Sequence, residues 1–397
     1  MSATKHVVLV GNYAPSVINF RGPLIDVLRA EGHRVTACAP AAGPDIVAEL
    51  RRRGVGYEDV PLERGGTNPA ADLAYTARLT ALFRRLRPDV ILTYTIKPII
   101  YGSLAGRIAR VPLRTTMMSG LGYAFTSTTA KARNVQRIVR GLYRVSLSGN
   151  HVIFFHNADD RAHLDGLGLL PSSAESVVIG GSGVDTARFE VAPLPVGPPV
   201  FLLIARLLPD KGIVEYVEAA RRIRRRHPAA RVQLLGPFDP QPGSITREQL
   251  DGWVKEGAIE YLGRTEDVRP YLRDCSVYVL PSYREGMPRS VLEAMAMGRP
   301  IITSDAPGCR ETVREGENGL LVPPREVDGL EAAMERFILN PELIAPFGSA
   351  SRRMAEERFD AYHVACDVVQ ALGLMSTPRH ALIQSARTSA DPGHPPL

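Results

Sequence analysis

Apolar residues gather in short runs of about five, separated by longer stretches in which they recur every three to four positions. The runs read as buried parallel strands and the periodic stretches as amphipathic helices, so the pattern predicts an alternating β/α chain. It opens with His6-Val-Val-Leu-Val10 and a loop, Gly11 to Ser16. A helix from about Val17 to Glu31 stops at Gly32, and His33 to Cys38 gives the next strand. Leu73 to Leu86 forms an amphipathic helix ahead of a strand from Asp89 to Thr93. Pro193-Leu-Pro-Val-Gly-Pro-Pro199 reads as an extended interdomain linker. The alternation then restarts with a strand, Val200 to Ile204, a helix through Arg226, and a strand from Arg231 to Gly236. Later strands fall at Pro300 to Thr303 and Gly319 to Pro323. Asn340 to about Leu374 is helical, and Ser376 to Leu397, with little to bury, is expected to be disordered.

One stretch concentrates the chemistry. Ser276-Val-Tyr-Val-Leu280 reads as a buried strand ending in Pro281, and the polar loop after it carries Glu285 and Gly286. Pro288 stands where a helix begins, and Gly298 ends that helix where a left-handed cap is favoured. No Ser, Thr, Asp or Asn takes the N-cap position, which leaves the first amides without a side-chain partner and suits them to phosphate. Glu285 lies at the mouth of this site, and Glu293, eight positions on, lies beside whatever the helix amides hold.

The frame Glu285-Gly-x-Pro-x-x-x-Leu-Glu293-Ala-Met-Ala-x-Gly298-x-Pro-Ile-Ile302 closely resembles the signature of retaining, nucleotide-sugar-dependent glycosyltransferases of the GT-B fold. That resemblance implies an α/β protein with two Rossmann-like domains facing across a cleft. The first domain would take 1–190 and bind the acceptor, and the second, 191–340, would bind the nucleotide sugar. Helices in 341–374 would return to the first domain, and 375–397 would be the disordered tail. The family's phosphate-binding Arg and Lys fall on Arg206 and Lys211, and two fixed cations between a strand and a helix suit a departing diphosphate. The donor, a UDP-sugar, would also meet Gly11, Arg264, Gly286, Met287, Pro288, Ser290 and Val291, with Glu293 on its ribose hydroxyls. Gly11 is chosen because only a residue without a side chain lets the backbone approach a ligand closely. Glu285 would face the donor sugar; the resemblance leaves open whether it is a covalent nucleophile. The catalytic candidates are therefore Glu285, Arg206 and Lys211. No metal or other cofactor is expected, and Asp159-Asp160 reads as a helix cap rather than a metal motif.

Tyr94 to Ser103, Ser119-Gly-Leu-Gly122 and Phe154 to Asp160 look like a narrower branch, which adds N-acetylhexosamines to sugars on undecaprenyl diphosphate. By that likeness Lys97, Ser119 and Gly120 are acceptor candidates for a polyprenyl-diphosphate-linked glycan. Many members carry His where this chain has Ser119, and for Lys97 a surface lysine is the alternative. Two readings of other classes are a sugar-nucleotide epimerase of similar build and an inactive peripheral scaffold.

Charge distribution adds a partner. The net charge is +6, yet no acidic residue lies between Asp89 and Asp159. Within that gap Arg133, Arg137, Arg140 and Arg144 share one helical stripe, with Val135, Ile138, Val139, Leu142 and Val145 opposite and expected to pack on the core. Such a stripe fits an anionic membrane surface, a solvated face being the alternative. Nucleic acid is set aside because no aromatic interleaving or binding motif accompanies it. The Arg-rich helix through Arg226 reads as a solvated face. No apolar run approaches membrane-spanning length. The four cysteines are scattered, as reduced core thiols would be. The expected place is cytoplasmic, peripheral on the inner face of the cell membrane.

Overall fold

The computed structural model describes residues 3–63, 68–121, 130–241 and 243–389, with the side chains of 130–135 outside the description. Thirteen strands are seen among them: β1 His6–Val10, β2 Arg34–Ala39, β3 Gly56–Asp59, β4 Val90–Tyr94, β5 Leu113–Met118, β6 Val152–Phe155, β7 Glu175–Val178, β8 Val200–Ile204, β9 Arg231–Leu235, β10 Glu260–Tyr261, β11 Val277–Leu280, β12 Ile301–Ser304 and β13 Gly319–Val322. The helices are α1 Pro15–Ala30, α2 Pro44–Arg52, α3 Pro69–Leu86, α4 Ser103–Ile108, α5 Ala130–Leu147, α6 Ala158–Gly166 and α7 Ile213–Arg226. After them come α8 Arg247–Lys255, α9 Arg269–Arg273, α10 Arg289–Ala296, α11 Val327–Leu339, α12 Ile344–Arg358, α13 Ala361–Ala371 and α14 Arg379–Ser389.

These elements form two compact units. The first, residues 1–182 with 361–397, holds a parallel sheet in the order β3-β2-β1-β4-β5-β6-β7. The second, 183–360, holds a parallel sheet in the order β10-β9-β8-β11-β12-β13. Central strands such as β1 and β11 are buried along their whole length, as parallel strands covered on both faces require. In each sheet the strand order reverses once, between β1 and β4 and between β8 and β11. Loops at such a reversal leave a crevice beyond the carboxyl ends of the strands, where ligands of open α/β sheets bind.

The division differs from the expected one. The chain passes into the second unit at Gly183, not after residue 190, because Phe189 is buried in the second core and Val184 bridges to Asp360. Pro193 to Pro199 is therefore not the linker. Arg299, fully buried, donates to the carbonyls of Ala192 and Pro193 at 2.9 and 3.0 Å and fixes that stretch to the second unit. At the other end α12 belongs to the second unit, and α13 begins the return at Ala361. The tail is also corrected: Arg379–Ser389 is a helix with Leu382 and Ala386 buried, and Arg387 lies over the Tyr362 ring at 5.0 Å. Apolar residues at a four-residue spacing outweighed the polar composition around them. Residues 390–397 lie outside the described residues.

Two surface expectations change. On α7, Arg222 pairs with Asp328 at 2.7 Å and Glu331 at 3.0 Å, Arg226 with Glu331 and Glu335, and His227 with Glu335 at 2.7 Å. That helix thus meets α11 through an ion-pair network rather than standing solvated. On α5, Val139 and Leu142 pack beside buried Tyr143 and Leu147, but Ile138 and Val145 are 64% and 55% exposed. They stand next to exposed Arg137 and Arg144, while Arg140 is half-buried. The side chain of Arg133 lies outside the described residues. No described helix is long and apolar enough to cross a membrane.

Candidate active site

The site is built where the order of the second sheet reverses, from the loop after β8 and the loop after β11. Beyond β8 the chain runs through Arg206 into a short turn, Pro209–Lys211, ended by Gly212 at φ +70°. A Cβ at Gly212 would stand 2.2 Å from the Pro281 carbonyl oxygen, so only glycine lets this turn close against the loop after β11. The Tyr283 N–H then donates to the Asp210 carbonyl at 2.9 Å. With the two loops locked, Lys211 Nζ lies 2.6 Å from Glu285 Oε1. Ser282 Oγ donates to the same oxygen at 2.8 Å. Tyr283 OH donates to Glu215 on α7 at 2.6 Å, and Arg325 covers its ring at 4.6 Å.

A third loop holds the backbone of Glu285. Its N–H donates to the Pro307 carbonyl at 2.9 Å, and Gly308, at φ +78°, passes so close that a Cβ there would lie 2.2 Å from the Glu285 carbonyl. Cys309 is buried directly behind, and burial, then the neighbouring Glu285 charge, push its thiol well up. It is a packed thiol, not a reactive one.

α10 starts at Arg289 with Pro288 in the N-cap position and no side-chain cap, as its sequence predicts. Val291 N–H donates to the Pro288 carbonyl at 3.1 Å. The Ser290 hydroxyl is engaged internally: it accepts from Tyr278 OH at 2.6 Å and donates to the Ile204 carbonyl at 3.2 Å. That carbonyl ends β8, so the helix start is tied to the strand from which Arg206 emerges. At the far end Gly298, φ +76°, closes the helix: its N–H donates to Met295 and the Arg299 N–H to Ala294, the double bond of a Schellman cap.

Arg206 stands at the rim, its side chain 54% exposed and paired to buried Asp239 at 2.6 Å. Met287 packs on the core, Gly286 lies half-buried beside Glu285, and Glu293 is 3.2 Å from Arg289 with only 13% of its side chain exposed. Burial pushes the Glu293 carboxyl up, against the pull of Arg289 and then Arg188. Arg264 is apart from these: its side chain is 71% exposed and pairs with Glu266 at 3.0 Å. Lys211, Glu285, Ser290 and the helix start thus converge, with Arg206 at the edge. Sequence reading missed Ser282 and Tyr283, though both lie in the stretch that carries Glu285. It also missed Asp239, Arg188 and Arg299, which only the fold brings to their partners.

In the first unit the candidates stand differently. At Gly11 the Tyr94 ring lies 2.4 Å from where a Cβ would be, so an internal ring also requires the missing side chain there. Lys97 is neither a free cation nor a surface lysine: it is mostly buried and pairs with Asp72 at 2.7 Å, which also accepts from Tyr101 OH at 2.8 Å. Ser119 is exposed at the end of β5, followed by Gly120 at φ +130°, while Gly122 lies outside the described residues. Asn157, not Asp159 or Asp160, caps α6, accepting from the Asp160 N–H at 2.7 Å. Among the described residues no His, Cys, Asp and Glu side chains group as metal ligands would.

Comparison with known proteins agrees with this architecture. Residues 22–181 match the family model described as glycosyl transferase 4-like domain, and 198–340 that described as glycosyl transferases group 1. The N,N'-diacetylbacillosaminyl-diphospho-undecaprenol alpha-1,3-N-acetylgalactosaminyltransferase of Campylobacter jejuni is 29% identical over 343 residues, 83% of this chain and 88% of that protein. The UDP-Gal:alpha-D-GlcNAc-diphosphoundecaprenol alpha-1,3-galactosyltransferase of Escherichia coli is 26% identical over 279 residues, 67% of this chain and 70% of that one. Among solved structures, sucrose-phosphate synthase from Thermosynechococcus elongatus superposes with a TM-score of 0.75 at 19% identity, covering 92% of this chain and 98% of the other. The Anabaena protein HepE in complex with UDP gives 0.74 at 19% identity, covering 94% of this chain and all of the other.

Proposed function

This chain belongs to the GT-B glycosyltransferases, and from that premise we propose that it moves an N-acetylhexosamine from a UDP-sugar to a polyprenyl-diphosphate-linked glycan with retained anomeric configuration. The observation that carries the reading is the Lys211–Glu285 pair, fixed at the reversal of the second sheet beside an uncapped helix start. The relatives named for undecaprenyl-diphosphate-linked sugars support the acceptor class, and the UDP complex of the structural neighbour supports the donor.

In this mechanism the donor diphosphate lies against Lys211, Arg206 and the first amides of α10, with Gly286, Met287, Pro288, Ser290 and Val291 shaping its seat. Glu293 accepts from the ribose, and the backbone near Arg264 borders the base. As the bond from the sugar C1 to the β-phosphate oxygen breaks, negative charge grows on that phosphate and positive charge on the sugar ring. Lys211 and Arg206 stabilise the first, and the Glu285 carboxylate faces the second. The acceptor hydroxyl forms the new bond at C1 on the face the phosphate leaves, and its proton passes to the departing phosphate oxygen. Glu285 then forms no covalent bond. The two cations supply the charge that a metal provides elsewhere, so EDTA leaves turnover unchanged.

Acceptor contacts fall to the first unit. Ser119 and Gly120 offer a hydroxyl and backbone at the end of β5, and Lys97 contributes once its charge is shared between Asp72 and an acceptor phosphate. Exposed Arg137, Ile138, Arg144 and Val145 on α5 combine cations with apolar area, the composition of a face that meets anionic lipid. With Arg133 and Arg140 this helix would hold the protein on the membrane that carries its acceptor. Transfer of label from UDP-N-acetylhexosamines to a polyprenyl-diphosphate-linked N-acetylhexosamine, presented in vesicles, tests the reading. Lipid-soluble label, faster on vesicles rich in phosphatidylglycerol than on neutral ones, is expected. An epimerised sugar nucleotide, or no product, contradicts the transferase reading; equal rates on both vesicles contradict the membrane face alone.

A further inference from the structure

Ser282 and Glu285 stand three positions apart in the loop after β11, the spacing of Ser and Glu in a helix capping box. No box is made here. α10 begins only at Arg289, and the Glu285 N–H goes to the Pro307 carbonyl at 2.9 Å. The Ser282 hydroxyl donates instead to the Glu285 side chain, at Oε1 and 2.8 Å. The segment between them is pinned from two sides, since the Tyr283 N–H donates to the Asp210 carbonyl at 2.9 Å and Gly308 packs on the Glu285 carbonyl. Backbone bonds thus bring hydroxyl and carboxylate together.

Ser282 is fully buried, and among the described residues its hydroxyl has no other partner. Burying a hydroxyl is costly unless it is bonded, so Glu285 accounts for its place. Lys211 Nζ meets the same carboxylate oxygen at 2.6 Å. Oε1 therefore takes both donors, whereas Oε2 has no partner among the described residues and stays open to solvent. The two donors differ in what competes for them. An ammonium carries three protons and a full charge, and an anionic diphosphate draws on both. The buried hydroxyl has one proton, already directed at Oε1, and lies out of a ligand's reach.

We propose that Ser282 is a positioning residue for Glu285: once the diphosphate engages Lys211, its hydroxyl is the anchor that keeps Oε1 turned inward and presents Oε2 to the donor sugar. This rests on the placement of Glu285 at that sugar given under Proposed function. A carboxylate already fixed in place needs no reorganisation when positive charge develops opposite it. Loss of the anchor therefore falls on turnover. It spares the binding of UDP, which brings no sugar for Oε2 to face.

Two measurements on the full chain test this. One is transfer of label from UDP-N-acetylglucosamine and UDP-N-acetylgalactosamine to a polyprenyl-diphosphate-linked N-acetylhexosamine in vesicles, and the other is calorimetric titration with UDP. Ser282→Ala removes one buried oxygen and leaves Lys211 on Oε1. It should lower turnover about ten- to hundredfold, the factor for a hydrogen bond to a charged group, with UDP affinity unchanged. On a Glu285→Ala background the same substitution should cost nothing further, because the group through which it acts is gone. Full turnover in Ser282→Ala, an equal loss in turnover and UDP affinity, or a second tenfold loss on the Glu285→Ala background would each overturn this inference alone. No transfer from either donor by the unchanged protein would overturn the transferase reading, and this inference with it.

Discussion

Lys211 reaches Glu285 only because Gly212 carries no side chain. Its φ of +70° costs an L residue about 1–2 kcal/mol, and the Pro281 oxygen 2.2 Å from a Cβ leaves no room to relax. Gly212→Ala should therefore push the turn off the loop after β11, lower stability by at least about 2 kcal/mol and break the ion pair. Urea unfolding and turnover measured together check this; a variant of unchanged stability and rate would mean that the close approach is not needed. Glycine at 212 was visible in the sequence, but its partner, Pro281, is sixty-nine positions away and became evident only in the fold. Gly11 is a parallel case. The same reasoning, a missing side chain for a close approach, holds there, and the neighbour that the fold supplies is the Tyr94 ring.

Among the elements, α10 was the most legible, since its uncapped start, apolar face and Gly298 stop are all local signals. What anchors it was not legible. Arg299 follows it directly and spends its guanidinium on four carbonyls, those of Leu272, Ala192, Pro193 and Arg273, at 2.8–3.0 Å. An arginine in a sequence reads as surface; here it is a buried staple joining α9, α10 and the entry stretch. Arg299→Met would leave those carbonyls without donors, and a loss of about 3–5 kcal/mol follows from the cost of orphaned buried acceptors. Chemical denaturation checks it, and a loss under 1 kcal/mol would show that water replaces the guanidinium. The basic helix α7 teaches the same lesson, because its charges look solvated until α11 supplies Asp328, Glu331 and Glu335 across more than a hundred residues.

At the scale of the whole molecule, the hydrophobic pattern was enough for β1, β2 and β4 of the first sheet and for every strand of the second but β10. The strands β3, β5, β6, β7 and β10 were not read, β3, β7 and β10 being short edge strands of mixed polarity with no fully buried residue. The boundaries between units were not, because Pro193 to Pro199 looks like a linker and is one only in composition; Arg299 decides otherwise. The exposed Ile138 and Val145 likewise could not be told from core residues by spacing alone. What remains central is the division of labour at the sheet reversal, with cations and helix start for the diphosphate and Glu285 for the sugar. Turnover and UDP affinity measured side by side for Glu285→Ala test it most directly. The account predicts a loss in turnover of about 10²–10³, as for removal of a group that acts on transition-state charge, with UDP bound as tightly as before or more tightly once Lys211 is released. An equal loss in both quantities, or full turnover, would contradict it.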